Sequence, residues 1–252
     1  MTGSEREQRL VFGEIAREYD AFRPSYPDAL FDTIIDYGDL HAGDRALEIG
    51  AGTGKATIGF LARGLDVHAL EPSPEMADVL RGYGVEAEAT LFETWPPPAD
   101  AFPLVYAAQA WHWVEGDDRY ERVAAALRPG GTAAFFWNEG REWAGTLGTE
   151  NDAVYAELAP GLVGGADWYL DQVLDGFAAC DSFAAPVKRT VTWSRDYTRD
   201  EWTRLLGTHS HHRMLSPEVR EELTRRVGEA IDRHGGRVEV IYDVECYLSR
   251  RV

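Results

Sequence analysis

Between residues 45 and 138, short apolar runs alternate with stretches whose apolar positions recur at helical spacing. Runs at 46–49, 67–70, 85–89, 104–108 and 132–137 are the expected strands, and the alternation signals a parallel sheet joined by crossover helices. Each strand is followed by turn or helix-start chemistry. Ser73-Pro74-Glu75 offers an N-cap hydroxyl, a proline suited to the first helical position and a first-turn carboxylate, so a helix is expected over 74–83. Arg128-Pro129-Gly130-Gly131 stops a helix ahead of the fifth strand, because proline disfavours helical geometry in the residue before it.

The flanks break this rhythm. Residues 1–44 carry two helical stretches separated by RPSYP. After residue 138 come a mixed segment to 186, a strand-like run at 187–193, helical stretches at 199–206 and 217–234, and a last strand at 238–248. The reading is one domain over 1–252: an N-terminal helical cap (1–44), a ligand-binding core (45–138), a cap insertion (139–186) and C-terminal strands and helices (187–252).

Charge narrows the partners. Asp and Glu number 43 against 25 Lys and Arg, a net −18, which repels phosphate backbones and anionic headgroups. Neither nucleic acid nor a membrane surface is expected as a partner. No apolar run approaches the ~18 residues of a spanning helix, and the charged start MTGSEREQRL is unlike a signal peptide. The two cysteines form no motif, and a reduced cytoplasm is the expected location.

The stretch ALEIGAGTGK, from Ala46 to Lys55, empties a strand into three glycines set two residues apart. Backbone laid bare at the carboxyl end of a parallel sheet, beside a helix start, is where nucleotide-like ligands bind. A tight turn without a ligand needs only one glycine. The dinucleotide pattern G-x-G-x-x-G started at Gly50 would require glycine where Lys55 stands, and the P-loop pattern fails at Ala56. Glu71 closes the second strand, where a carboxylate can accept hydrogen bonds from both hydroxyls of a ribose; the alternative is an acidic residue near a helix start.

These residues resemble the class I S-adenosylmethionine-dependent methyltransferases. LEIGAGTG is similar to the family's first motif, LEPSPEM to its acidic ribose-binding motif, and LRPGGTAAFFW to the motif entering its fifth strand. FGEIAREYDAFRPSYP and AAQAWHWV look like a small-molecule branch that includes trans-aconitate methyltransferase-like and methyltransferase type 11 proteins. The resemblance covers residues 12–138 well and the C-terminal third weakly. It implies an α/β fold: a Rossmann-like, doubly wound, mostly parallel seven-stranded sheet, helices on both faces, an antiparallel last strand and a helical cap. It also implies S-adenosylmethionine as cofactor and S-adenosylhomocysteine as product.

Residue by residue, the resemblance implies that Gly50, Ala51, Gly52, Thr53 and Gly54 lie against the methionine half of the cofactor, and that Glu71, followed by Pro72, holds the ribose. Met76, Phe92 and Glu93 would border the adenine, and Gln109 would face the cofactor from the end of the fourth strand. Tyr19, Arg23 and Tyr26 would come from the N-terminal cap, with Arg23 suited to pairing the cofactor's carboxylate. Two positions depart from the family pattern. Leu91 stands where many relatives carry an acid, and Pro103 where an aspartate often precedes the fourth strand.

The cofactor's methyl is already activated on a sulfonium, so holding an acceptor in line and excluding water supplies most of the catalysis. Aromatic residues suit a planar or apolar small-molecule acceptor: Trp111, Trp113 and Trp137 near the strand ends, with Trp143, Trp168 and Tyr169 in the cap. His112 is the candidate catalytic base; the alternative is that its ring braces the following loop. His209, His211 and His212 look like a metal set, but no cysteine or acid accompanies them at ligand spacing. They are read as a polar patch, His209 and His212 as acceptor contacts, and no metal is expected. The assembly is expected to be a monomer or homodimer. Two other readings stand beside methyl transfer: a nicotinamide-dependent oxidoreductase, and a non-catalytic relative that keeps the cofactor pocket.

Overall fold

The computed structural model describes residues 15–141, 143–162 and 168–252, without the side chains of 168–171. The described chain divides into two compact units. One comprises 25–139, 167–191 and 243–252, and the other is drawn from the N-terminal residues to 24, 140–166 and 192–242.

In chain order the elements are α1 (Ala16–Phe22), α2 (Asp28–Gly38), β1 (Arg45–Ile49), α3 (Thr57–Leu61), β2 (Asp66–Leu70), α4 (Pro74–Gly82), β3 (Ala87–Glu88), β4 (Phe102–Ala108), α5 (Arg119–Ala126) and β5 (Leu127–Gly140). There follow α6 (Gly145–Leu158), α7 (Trp168–Ala179), β6 (Val187–Thr198), α8 (Arg199–Leu206), α9 (Ser210–Arg213), α10 (Pro217–Arg233) and β7 (Arg237–Arg250). The seven strands form one sheet in the order β3-β2-β1-β4-β5-β7-β6. β1 pairs in parallel with β2 and β4, β2 with β3, and β4 with β5. β7 runs antiparallel to β5: Arg141 bonds to Ile241, whereas Gly130 and Gly131, further back along β5, bond to Arg251.

The parallel strands are buried as their composition requires. Leu47, Phe102, Leu104, Val105, Tyr106, Ala107, Phe135 and Phe136 all have 0% exposure, so neither face of the central strands is wet. Rings organise much of this core. Trp111 stacks on Phe135 with centroids 4.0 Å apart, and Phe177 of α7 stacks on the same ring at 5.2 Å. In the other unit the core joins Val154 of α6, Leu205 and Leu206 of α8, Leu223, Val227 and Ile231 of α10, and Val238, Val240 and Tyr242 of β7. There α8 begins with a complete capping box, Thr198 accepting from the Glu201 N–H while Glu201 accepts from the Thr198 N–H.

Local sequence chemistry explains several boundaries. Ser73 caps α4, its hydroxyl accepting the Met76 N–H at 3.3 Å. α5 ends at Ala126, two residues short of the Arg128-Pro129 bond. Pro103 sits inside β4, where it cannot donate to a ladder, and the pairing with β5 shifts register between Phe102 and Leu104. The third strand is shorter than the apolar run predicts: only Ala87 and Glu88 find partners, Ala69 and Leu70 on β2.

Candidate cofactor site at the end of the first strand

The order β2-β1-β4 sends the chain away from β1 and β4 in opposite directions, which opens a crevice at their carboxyl ends. The loop after β1 enters that crevice. Gly50 and Ala51 both donate to the Leu70 carbonyl, at 2.9 and 3.0 Å, and Gly54 donates back to Ala51 at 3.0 Å. The helix after the loop, α3, has only five residues. So short a helix offers little dipole, and the amides of Gly50, Ala51, Gly52 and Gly54 are spent within the protein, which leaves the loop to offer bare backbone surface.

The three glycines have different reasons to be glycine. A Cβ at Gly50 would lie 2.7 Å from the Ala110 Cβ, and one at Gly54 would lie 2.4 Å from Leu80 Cδ1. These two are required by packing. At Gly52, with φ +58°, a Cβ would meet nothing within 4 Å. The space beside Gly52 is open, as a cradle for a closely approaching ligand must be. Next to it the Thr53 hydroxyl is buried without a hydrogen-bond partner.

Glu71 fastens this loop to the second strand. One carboxylate oxygen accepts the Gly52 N–H and the other the Ser73 N–H, both at 2.7 Å. The residue is 7% exposed. Charge-assisted bonds to backbone amides contribute about 1.5–3 kcal/mol each. Glu71 is thus a brace as well as the candidate ribose acceptor.

Beneath the loop lies a residue that the sequence reading passed over. Glu48, in the apolar run of β1, is 1% exposed and pairs in register with Tyr106. Its Oε2 accepts hydrogen bonds from Thr57 Oγ1 at 2.5 Å and from the Tyr106 hydroxyl at 2.8 Å, while Oε1 is buried without a partner. Burial pushes its carboxyl up to about 8, against the two hydrogen bonds, so it is mostly protonated at neutral pH. The available signal was a lone acid inside a strand otherwise buried on both faces.

The other expected residues fall into separate groups. Met76 and Phe92 are buried at 3% and 2% exposure, Glu93 Oε1 accepts the Glu115 N–H, and Arg122 covers the Phe92 ring. Pro72 lies between Glu71 and the Ser73 amide that Glu71 binds. Gln109 leaves β4 at φ +55°, and its Nε2 donates to the Asn138 carbonyl at 3.2 Å. Tyr26 packs edge-on against Phe136, centroids 5.0 Å apart. Tyr19 and Arg23 belong to the other unit. There Arg23 lies over the Tyr19 ring and donates to Thr208 through Nε at 2.8 Å and Nη2 at 3.1 Å. His209 and His212 follow that threonine in the same unit.

Two of the expected acceptor aromatics are enclosed in the core. Trp111 is 1% exposed, stacked on Phe135, and its indole N–H is bound to the Tyr120 hydroxyl at 3.0 Å, so it is core and offers an acceptor no face. Trp137 is 0% exposed, and its indole N–H donates to His112 Nδ1 at 3.1 Å, so it positions a histidine. Trp113 is half-buried and tilted over the His112 ring at 4.7 Å. Trp143 packs against Trp202 at 5.0 Å. The side chains of Trp168 and Tyr169 lie outside the described residues.

A doubly wound sheet with an open glycine loop and a buried acid at the next strand end defines a nucleotide-type binding protein. Comparison with known proteins makes the class specific. The family model described as a methyltransferase domain matches residues 46–131. An uncharacterized methyltransferase of Mycobacterium tuberculosis is 34% identical over 236 residues, covering 93% of this chain and 90% of that protein. Among solved structures, a putative type II methyltransferase from Anaeromyxobacter dehalogenans superposes with a TM-score of 0.67 at 24% identity, over 91% of this chain and 98% of that one. A Haemonchus contortus phosphoethanolamine N-methyltransferase 2, in complex with phosphomonomethylethanolamine and S-adenosylhomocysteine, gives 0.52 at 14% identity, over 95% and 57%. The chain belongs to the class I S-adenosylmethionine-dependent methyltransferases, of the type 11 kind, and S-adenosylmethionine is its cofactor.

The open space at Gly52 makes a direct expectation. Gly52→Val should abolish S-adenosylhomocysteine binding in calorimetry while the far-ultraviolet circular dichroism stays native. Both variants place a branched side chain at positive φ, but Gly54→Val should lower the melting temperature further, through its clash with Leu80. Retained affinity in Gly52→Val would mean that the loop faces another ligand. For Glu71, loss of two charge-assisted bonds should cost the apo-protein about 3–6 kcal/mol and weaken the cofactor ~100-fold in Glu71→Ala, with Glu71→Gln intermediate in both. A large stability loss with untouched cofactor affinity would make Glu71 a brace alone.

Proposed function

We propose that this methyltransferase acts on a small-molecule acceptor, and that it works by positioning and not by base catalysis. When bound, S-adenosylmethionine supplies a methyl group already activated for nucleophilic attack. The loop from Gly50 to Gly54 would hold its methionine half, Glu71 its ribose, and Met76, Phe92 and Glu93 would border its base. Gln109 and Tyr26 complete the proposed cofactor contacts within this unit, and Trp113 is the proposed acceptor contact. The strongly acidic chain disfavours a nucleic-acid acceptor. Among the described residues no helix is long and apolar enough to cross a membrane.

The observation that carries the positioning mechanism is the bond from Trp137 to His112. An indole N–H can only donate, so His112 Nδ1 must accept, and the neutral ring carries its proton on Nε2. Burial lowers the His112 pKa to about 4. At neutral pH the ring therefore has one nitrogen engaged and the other already protonated. It can donate a hydrogen bond to an acceptor or a carboxylate, but it has no lone pair to take a proton. The catalytic role proposed for His112 is that of a fixed donor.

Two measurements test this reading. Nitrogen-15 spectra of the His112 ring should show the Nε2–H tautomer and no titration above about pH 5; a midpoint near the ordinary ~6.5, or an Nδ1–H ring, would restore the base. Because the folded pKa is depressed, the unfolded chain binds the extra proton first, so stability should fall as pH drops from ~6.5 toward 4, and His112→Asn should flatten part of that slope. For the acceptor class, calorimetry should give micromolar S-adenosylhomocysteine binding with NAD and ATP far weaker. Label from methyl-labelled cofactor should then appear in the low-molecular-weight fraction of a cell extract. Label in protein or nucleic acid would overturn the small-molecule assignment.

A further inference from the structure

The sequence around His209 lacks the cysteine or acidic partner that a metal site usually shows, yet the fold converges three imidazoles there. His209 precedes α9, and the Arg213 N–H closes a helical turn onto its carbonyl at 3.1 Å. That turn brings His209 and His212 to one side, three residues apart, with His211 between them. The ring centroids are separated by 5.0 Å (His209 and His211), 5.4 Å (His209 and His212) and 4.6 Å (His211 and His212). One ring nitrogen from each residue lies within 4.8 Å of the other two.

Two of these rings carry buried nitrogens without a partner, His209 Nε2 and His212 Nδ1. A buried polar atom left unpaired costs about 1–3 kcal/mol, so a ligand that satisfies both would bind with that penalty relieved. His212 is also held from its far side. Its Nε2 shares a 2.8 Å hydrogen bond with the Tyr155 hydroxyl, which fixes the ring and leaves Nδ1 as the available atom.

We propose that His209, His211 and His212 form a binding site for one divalent transition-metal ion of the zinc class. Uncharged imidazole nitrogens suit zinc, copper, nickel and cobalt, whereas magnesium and calcium take oxygen ligands. Three protein ligands leave a fourth coordination position open. Zinc–nitrogen bonds of about 2.0–2.1 Å require the three nitrogens to draw closer together, and His211, the exposed member, supplies that movement. The charge facing the rings is the Arg23 guanidinium, which opposes a second cation. The expected affinity is therefore micromolar, below that of three-histidine sites backed by carboxylates. The site lies wholly within one unit and does not depend on the methyl-transfer reading.

The test uses the full chain, untagged and stripped with chelator. Zinc titration should give one ion per chain by calorimetry and elemental analysis, and cobalt should give the visible absorption of a low-coordinate imidazole site. Magnesium should not bind. Because His211 is exposed, His211→Gln should fold normally and lose zinc affinity tenfold or more; His209→Gln should lose it as well. Absence of stoichiometric zinc, equal binding of magnesium, or unchanged zinc affinity in folded His211→Gln would each overturn the proposal. S-adenosylhomocysteine binding by the same samples reports separately on the cofactor site.

Discussion

The cofactor end of this protein depends on one carboxylate. Glu71 takes the amide of Gly52 on one oxygen and the amide of Ser73 on the other, tying the loop after β1 to the turn that starts α4. The bonds from Gly50 and Ala51 to Leu70 hold the start of the loop and that from Gly54 to Ala51 closes it, while Glu71 holds its middle at Gly52, where three positive-φ glycines leave the chain most free. With these bonds, the open space beside Gly52 is a fixed feature of the apo-protein, so ordering of the loop is not charged against ligand binding. The same group would serve both stability and the proposed ribose contact, so the two are coupled.

Burial sets the protonation states around that site. Glu48, in the strand beneath the loop, is held mostly neutral by desolvation, and its hydrogen bonds to Thr57 and Tyr106 pull in the opposite direction without prevailing. His112, beyond β4, is held neutral for the same physical reason, but its tautomer is chosen by Trp137. A buried acid and a histidine are thus both kept uncharged at neutral pH by the same desolvation.

The aromatic residues divide along the same lines. Trp111 and Trp137 were attractive as acceptor walls, yet each is enclosed in the core with its indole N–H spent on a neighbour. Trp111 supports the stack of Phe135 and Phe177, and Trp137 supports His112. Their contribution is rigidity. In the other unit, the pairing of the Tyr197 and Tyr242 hydroxyls at 2.8 Å and the bond from Tyr155 to His212 give a comparable internal order.

The sequence alone determined the elements whose signals are local. The alternation of apolar runs placed the central parallel strands, Ser73-Pro74 placed the start of α4, and the glycine spacing placed the turn after β1, because caps, turns and strand periodicity act over a few residues. Tertiary structure decided what depends on distant partners. Pro103 entered β4 through a register shift, and the third strand shrank to two paired residues. Glu48 was hidden because an acid in an apolar run declares itself only when Tyr106, 58 positions on, arrives to bond it. The tautomer of His112 rests on Trp137, 25 positions on, and the convergence of three histidines gains its orienting contact from Tyr155, 57 positions before His212. Whether a ring nitrogen donates, accepts or stands bare is fixed by what packs against it, and packing across such separations leaves no periodic trace in the chain.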